Sequence, residues 1–190
     1  AEDPNTVVRT ESWVVNEWTA NSSAIASTIS VSDVNDAPIR AGAGGTLILA
    51  LGASATVIDS SLVVSDVDDA NIESATITIS GGHVSSEDVL AFMNTSDITG
   101  SWDSGSGVLT LSGSATKAQY EAALETVTYQ NTNTEDPNNG SRTVSGVVND
   151  GTANSSAITS TISVSDVNDA PILSGAGGTL IFALGASYTV

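Results

Sequence analysis

Short segments in which apolar and polar residues alternate recur along the chain, separated by clusters of Gly, Asn, Asp and Ser. Residues 75–80, Ala-Thr-Ile-Thr-Ile-Ser, show the alternation most clearly. A period of two is typical of a strand with one buried face, and Val, Ile and Thr favour strands. The same pattern predicts further strands at residues 46–51, 56–64, 89–92, 108–111, 127–130, 142–148 and 158–164.

One segment follows a different period. Thr116 and Gln119 have the spacing of a capping box, and Tyr120, Ala123, Leu124 and Val127 follow at helical spacing. We therefore predict one short helix with a packing role. Seven to nine short strands with a single helix predict an all-β fold, an antiparallel Greek-key β-sandwich.

The chain repeats itself at an offset of 133 residues. Residues 1–57 align without a gap onto residues 134–190, and 44 of the 57 aligned positions are identical. The repeat divides the chain into the C-terminal part of a first module (1–38), one complete module (39–171) and the first strands of a third (172–190). A unit of this length is expected to have its own core, so the modules should follow one another like beads.

Charge and composition narrow the functional classes. The 22 Asp and Glu residues stand against 4 Lys and Arg, giving a net charge of −18, so the chain is not expected to bind nucleic acid. The chain has no cysteine, which excludes disulfides and thiolate metal sites. No run of 18 apolar residues occurs, and the first residues do not resemble a signal peptide. We expect no membrane insertion, and an export signal outside this fragment.

Acidic and amide side chains concentrate at the module boundaries. Asp-Val-Asn-Asp-Ala-Pro occurs at residues 33–38 and again at 166–171, each time after Thr-Ile-Ser-Val-Ser. Ca²⁺ takes six to eight oxygen ligands from carboxylates, amides and carbonyls, and such a linker can supply them. The predicted ligands are Asp33, Asn35 and Asp36, and in the second copy Asp166, Asn168 and Asp169. Asp66 and Asp68 follow a predicted strand at alternate positions, where both can point to one side.

These motifs resemble those of cadherin repeats, whose Asp-x-Asn-Asp-x-Pro linker and Asp-x-Asp motif bind calcium between successive modules. The resemblance extends to Asp150, at a position where cadherins carry another Asp ligand, and to Glu17, its counterpart in the first module. The family's Glu near the end of the first strand has no counterpart at residues 50–52. The length of the module and its helical segment are most similar to the long cadherin-like repeats of giant bacterial surface proteins.

The resemblance implies a calcium-binding structural or adhesive module of a large extracellular cell-surface protein, with Ca²⁺ stiffening the junctions and neighbouring modules of the same chain as partners. A second hypothesis is a subunit of a self-assembling filament, sheath or surface layer, in which identical chains pair through exposed strands or homophilic contacts. A third is a non-catalytic accessory array of a secreted hydrolase, with glycan contacts through Trp102 or Trp13.

Simpler interpretations of the same residues remain open. The linker motifs could be solvated acidic turns in which Asp and Asn only cap strand ends. Residues 66–77 do not form an EF-hand, because Asn71 stands where that loop needs Gly and Ile77 where it needs Glu. His83 is the one histidine and has no neighbouring ligand group, and the pair Glu87 and Asp88 does not by itself indicate acid–base chemistry. We expect no enzymatic activity.

Overall fold

The computed structural model describes residues 8–31, 34–50 and 52–165. The N-terminal part contains two nested antiparallel pairs. In the outer pair, Trp13 lies opposite Ile25. The strands are β1 (Val8–Trp13), β2 (Asn16–Glu17), β3 (Ala20–Asn21) and β4 (Ile25–Ser30), with β1 paired to β4 and β2 to β3.

The remaining strands and the helix lie between Ile39 and Ser165, within the predicted complete module. Its elements are β5 (Ile39–Ala41), β6 (Thr46–Ala50), β7 (Thr56–Val57), β8 (Val63–Ser65), β9 (Asn71–Gly81), β10 (Asp88–Ala91), β11 (Thr99–Asp103), β12 (Val108–Thr116), α1 (Lys117–Leu124), β13 (Thr128–Asn131), β14 (Ser141–Asn149) and β15 (Ile158–Ser165).

A six-stranded sheet with the order β11-β12-β9-β14-β15-β6 forms one side of the module. A three-stranded sheet, β10-β13-β7, and the pair β5-β8 make up the rest. Among the described strands, all pairs are antiparallel except β15 with β6, in which Ile162 lies beside Leu47. The predicted all-β sandwich class is confirmed. The parallel pair arises because the last described strand, β15, lies next to the early strand β6, which runs in the same direction.

One aliphatic core joins the two sheets. Residues from the six-stranded sheet, such as Ile72 and Leu111, and from the three-stranded sheet, such as Leu90 and Tyr129, belong to the same buried cluster. In β14 every second side chain is buried, as the alternating sequence predicts. Along this strand Val144 and Val148 face the core.

The predicted capping box is present at the start of α1. The Thr116 hydroxyl accepts from the backbone N–H of Gln119, and the Gln119 side chain accepts in turn from the backbone N–H of Thr116. Tyr120, Ala123 and Leu124 are buried, so the helix packs on the sheet with the predicted face. Among the described residues, no helix is long and apolar enough to cross a membrane.

The strand prediction differs from the structure in several details, and the short strand β5, for example, was not predicted. The segment predicted as one strand at 56–64 is broken by Asp59, Ser60 and Ser61, and its two ends join different sheets as β7 and β8. The edge strand β11 was not predicted, because Thr99–Asp103 carries Gly and polar residues instead of an apolar alternation.

A buried ion pair crosses the module. The Arg142 guanidinium is fully buried and its Nε donates to both carboxylate oxygens of Asp88 at 3.1 and 3.2 Å. The Tyr129 hydroxyl donates to Asp88 at 2.7 Å, and the Arg142 Nη1 donates to the carbonyls of Asn138 and Gly140. These bonds fix the loop between β13 and β14, and they give the Glu87–Asp88 pair a structural role.

Glu87 anchors the same loop, and we expect its contribution to stability to depend on pH. Burial raises the pKa of Glu87, but hydrogen bonds from Asn138, Asn133 and Asn131 and the charge of Arg142 outweigh burial, so the pKa is lowered overall. A lowered folded-state pKa gives stability that is present above the ordinary value and lost as pH falls through the folded value.

The variant Glu87→Gln should therefore lose about 1 kcal/mol of unfolding free energy at pH 7, because one charged acceptor is gone. The difference from the parent should shrink as pH falls below the ordinary Glu value of 4.5. Urea unfolding at several pH values measures it, with Glu135→Gln, an exposed residue of the same loop, as the control. A difference that stays constant with pH would contradict the assignment.

Candidate metal centre at the module junction

Three segments that are distant in sequence meet at one end of the complete module. They are the linker at Asn35 and Asp36, the turn at residues 66–69 and the end of β14 at Asp150. The side-chain Nδ2 of Asn35 donates to Asp150 Oδ2 at 3.1 Å, and the backbone N–H of Asp36 donates to Asp68 Oδ2 at 2.8 Å. The linker is therefore bonded directly to the acidic residues of the module that follows it.

The segment after β8 is a tight turn. Asp66 Oδ1 accepts from the backbone N–H groups of Asp68 and Asp69, at 3.1 and 2.9 Å. Aspartate often forms such turns by accepting from the backbone two residues further on. The Lys117 ammonium, at the start of α1, donates to the carbonyls of Asp66 and Asp69 at 2.9 and 2.5 Å. The structure thus joins Asp68 to Asp66 through the backbone of this turn, and not through the strand alternation on which the prediction rested.

Asp150 follows β14 and is held in place by backbone donors. Its Oδ1 accepts from the N–H groups of Thr152 and Ala153, at 2.7 and 2.6 Å, and the side chain is only 6% exposed. Gly151 adopts a φ of +97°, which allows the chain to turn back immediately after the carboxylate. These bonds leave Oδ2 directed towards Asn35.

Carboxylate oxygens crowd together at this point. Asp66, Asp69 and Asp150 each place one oxygen within 4.8 Å of the others. Two unit charges at about 4 Å repel each other by roughly 1 to 4 kcal/mol at surface dielectric values. A divalent cation would remove that repulsion and use the same oxygens as ligands.

Three buried oxygens at this end of the module have no hydrogen-bond partner among the described residues. They are Asp66 Oδ2, Asp68 Oδ1 and Glu73 Oε2. The other oxygen of Glu73 accepts from the Ser114 hydroxyl at 3.0 Å. Buried carboxylate oxygens are normally hydrogen-bonded, so these three are available to a further ligand.

The pKa values follow from this geometry. The backbone N–H of Asp36 is the main reason that the pKa of Asp68 is lowered. Burial, followed by repulsion from Asp66 and the other carboxylates, raises the pKa of Asp69. Burial also raises the pKa of Asp150, but the hydrogen bonds from Ala153, Thr152 and Asn35 outweigh it and lower the pKa overall. The site therefore contains ionised carboxylates beside one that is disfavoured as an anion.

The predicted ligands have different outcomes. The structure places carboxylate oxygens of Asp66 and Asp150 close together, whereas Asp36 is bonded to Asp68 through its backbone N–H and Asn35 to Asp150 as a side-chain donor. Glu17 lies on the exposed strand β2 and belongs to no cluster of three or more ligand groups in the described part of the chain, so the structure gives no support for it as a ligand. The remaining predicted ligands, Asp33, Asp166, Asn168 and Asp169, lie outside the described residues.

Sequence reasoning missed two residues of this cluster. Asp69 was passed over because the family motif counts only alternate positions, although the turn directs its carboxylate to the same point as Asp66. Glu73 lies at the start of β9 and reaches the cluster through the fold alone, as its repulsion of Asp69 shows. The one feature of the sequence that could have indicated Glu73 is its position seven residues after Asp66.

A scan of protein-family models found none that matches this chain, and a search of curated proteins returned no match.

Proposed function

We propose that the end of the complete module binds Ca²⁺ and that the ion locks the linker onto the module. The observation that carries the proposal is the set of three buried, donor-free carboxylate oxygens beside the Asp66, Asp69 and Asp150 cluster. The donor set is all oxygen, and the described residues bring neither Cys nor His to it, which favours a hard cation over zinc.

Two linker residues would make the junction sensitive to the ion. Asp36 is already attached through its backbone to Asp68, and Asn35 through its side chain to Asp150. A rotation of the Asn35 carboxamide replaces its donor by an oxygen ligand, which changes the linker from a hydrogen-bonded contact to a metal-bound one. Calcium would in this way stiffen the joint between successive modules.

The wider function that we propose is a calcium-binding structural repeat of a large extracellular surface protein, acting by binding and without turnover. The acidic composition and the tandem repeat support it. The alternative of glycan contacts is weaker at Trp102, whose ring packs against the core and meets His83 edge-on at 6.4 Å between centroids. Trp13, which is 66% exposed, is the better candidate for such contacts.

We expect calcium to raise the melting temperature of the 190-residue chain. An ion that binds only the folded state at ten times its Kd adds about 1.4 kcal/mol, which corresponds to a shift of about 5 °C for a module of this size. Differential scanning calorimetry in calcium, magnesium and EDTA measures the effect. Small-angle scattering on the same samples reports whether the junction becomes more extended and rigid.

The control is the variant Asp66→Asn, which keeps an oxygen to accept from the backbone N–H groups of the turn but loses the charge. It should fold and lose most of the calcium response. The proposal fails if the parent melts at the same temperature in calcium and in EDTA. It also fails if the variant retains the full shift, since the ion would then bind elsewhere.

A further inference from the structure

One face of helix α1 runs along strand β8, the strand that leads into the acidic turn. The carboxylate of Glu121 accepts from the backbone N–H of Val64 at 3.2 Å. The carboxylate of Glu125, at the C-cap of the helix, accepts from the backbone N–H of Leu62 at 3.0 Å. Two side chains of the helix therefore satisfy backbone donors in β8 and just before it.

The spacing of the contacts fits both elements. Four residues of a helix rise by about 6 Å, and two residues of a strand span about 6.6 Å. Lys117, Glu121 and Glu125 follow one another at intervals of four along the helix. Their backbone partners at residues 66, 64 and 62 follow at intervals of two. The helix and the strand are therefore held in one register.

Lys117 extends this register to the acidic turn of the candidate metal centre. Its ammonium donates to the carbonyls of Asp66 and Asp69, at 2.9 and 2.5 Å. Among the described residues, this ammonium makes no ion pair with a carboxylate within 4.0 Å. Lys117 thus holds the turn through its backbone, and it leaves the carboxylate oxygens of the turn free for a cation.

The helix that carries Lys117 is well anchored. It begins at a complete capping box. Tyr120 is fully buried, and its hydroxyl donates to the carbonyl of Gly113 at 2.7 Å. In the segment that leads into the helix, the Ser114 hydroxyl donates to Glu73 Oε1 at 3.0 Å. The same part of the chain therefore supports both the acidic turn and Glu73.

We propose that Lys117 is a positioning residue for ion binding, through which helix α1 fixes the carboxylates of the turn before the ion arrives. This role rests on the proposed function of the site. Removing a nearby positive charge would by itself strengthen cation binding, because like charges repel. Losing a group that orients the ligands has the opposite effect, since such partners typically contribute about 10- to 100-fold to metal affinity. The sign of the change in affinity therefore separates the two effects.

Calcium titration by isothermal calorimetry measures the affinity, at a temperature at which all variants are folded. Lys117→Met keeps most of the apolar length of the side chain and loses the charged donor. It should bind calcium about tenfold more weakly than the parent chain, or more weakly still. Lys117→Arg keeps a charged group with several N–H donors and should recover most of the affinity.

The matched control is Glu125→Ala, because it removes the contact of the helix that lies farthest from the turn. It should lower the melting temperature and leave the calcium affinity of the folded chain unchanged. Amide hydrogen exchange in EDTA gives a second measurement that needs no ion. The N–H groups of Asp68 and Asp69, which Asp66 accepts, should exchange faster in Lys117→Met than in Glu125→Ala.

Two titration results would overturn the role of Lys117. One is a Lys117→Met variant that binds calcium as tightly as the parent chain or more tightly. The other is an equal weakening in Glu125→Ala, since affinity would then follow overall stability. A parent chain that binds no calcium contradicts the proposed function, and the turn amides then decide the role of Lys117. Equal exchange rates for these amides in the parent and in Lys117→Met would show that Lys117 does not hold the turn.

Discussion

Replacing Arg142 by Met should lower the unfolding free energy by about 3 to 5 kcal/mol, the cost of leaving a buried partner charge uncompensated. Asp88 is 1% exposed and would keep only the Tyr129 hydroxyl as a side-chain donor. The carbonyls of Asn138 and Gly140 would also lose their donor. Urea unfolding at pH 7 measures the loss, with the slope of the transition checked for a change in mechanism.

The repeat supplies a matched control. Arg9 stands 133 residues before Arg142, at the aligned position of the repeat, but it is exposed. Arg9→Met should change the unfolding free energy by no more than about 0.5 kcal/mol. Replacing Asp88 by Leu and Tyr129 by Phe together with Arg142→Met should recover part of the loss, because an apolar cluster leaves no charge unpaired. If Arg142→Met lowered the unfolding free energy by less than about 1 kcal/mol, water would have to reach the hydrogen-bond network around Asp88.

The strands that could be predicted from the sequence are those in which side-chain alternation and core burial agree. Strands β9, β14 and β15 alternate, and the structure buries the apolar face of each. The helix was predicted because its start signal is local, with both partners of the capping box within four residues. Strand β11 escaped prediction because it lies at a sheet edge with no fully buried face, so its residues show no apolar alternation.

The buried ion pair could not be predicted, for a different reason. Charged side chains are rarely buried, so the sequence alone gives little reason to expect Asp88 in a core. Its partner Arg142 lies 54 residues away and reaches it through the packing of the two sheets. Only the fold decides that these two charges meet, and composition carries no sign of it.

The candidate metal centre was predicted in part. The Asp-rich motifs at the repeat boundary indicated this end of the module, where the linker is bonded to the turn after β8 and to the residue after β14. The contributions of Asp69 and Glu73 depend on a turn and on the position of β9, which are tertiary features. Glu17 aligns with Asp150 but lies on an exposed two-residue strand, so its role as a ligand stays a prediction.

Two substitutions in the junction cluster should change stability in opposite directions when calcium is absent. Asp150→Ala removes the acceptor for Thr152, Ala153 and Asn35 and should cost about 2 to 3 kcal/mol. Asp69→Asn relieves repulsion from the neighbouring carboxylates and should stabilise by less than about 1 kcal/mol, because water screens the exposed charges. Thermal unfolding in EDTA measures both.

In saturating calcium the same two variants should behave alike, since each lacks a ligand. The parent chain should gain stability on adding the ion, by about 2.7 kcal/mol at one hundred times its Kd, while both variants gain little. Glu17→Ala, at the repeat position of Asp150, should leave the calcium response unchanged because Glu17 is exposed and outside the cluster. If Asp69→Asn destabilised the chain in EDTA, the crowding of carboxylates would not be the force that a cation relieves, and the case for a calcium-locked junction would lose its physical basis.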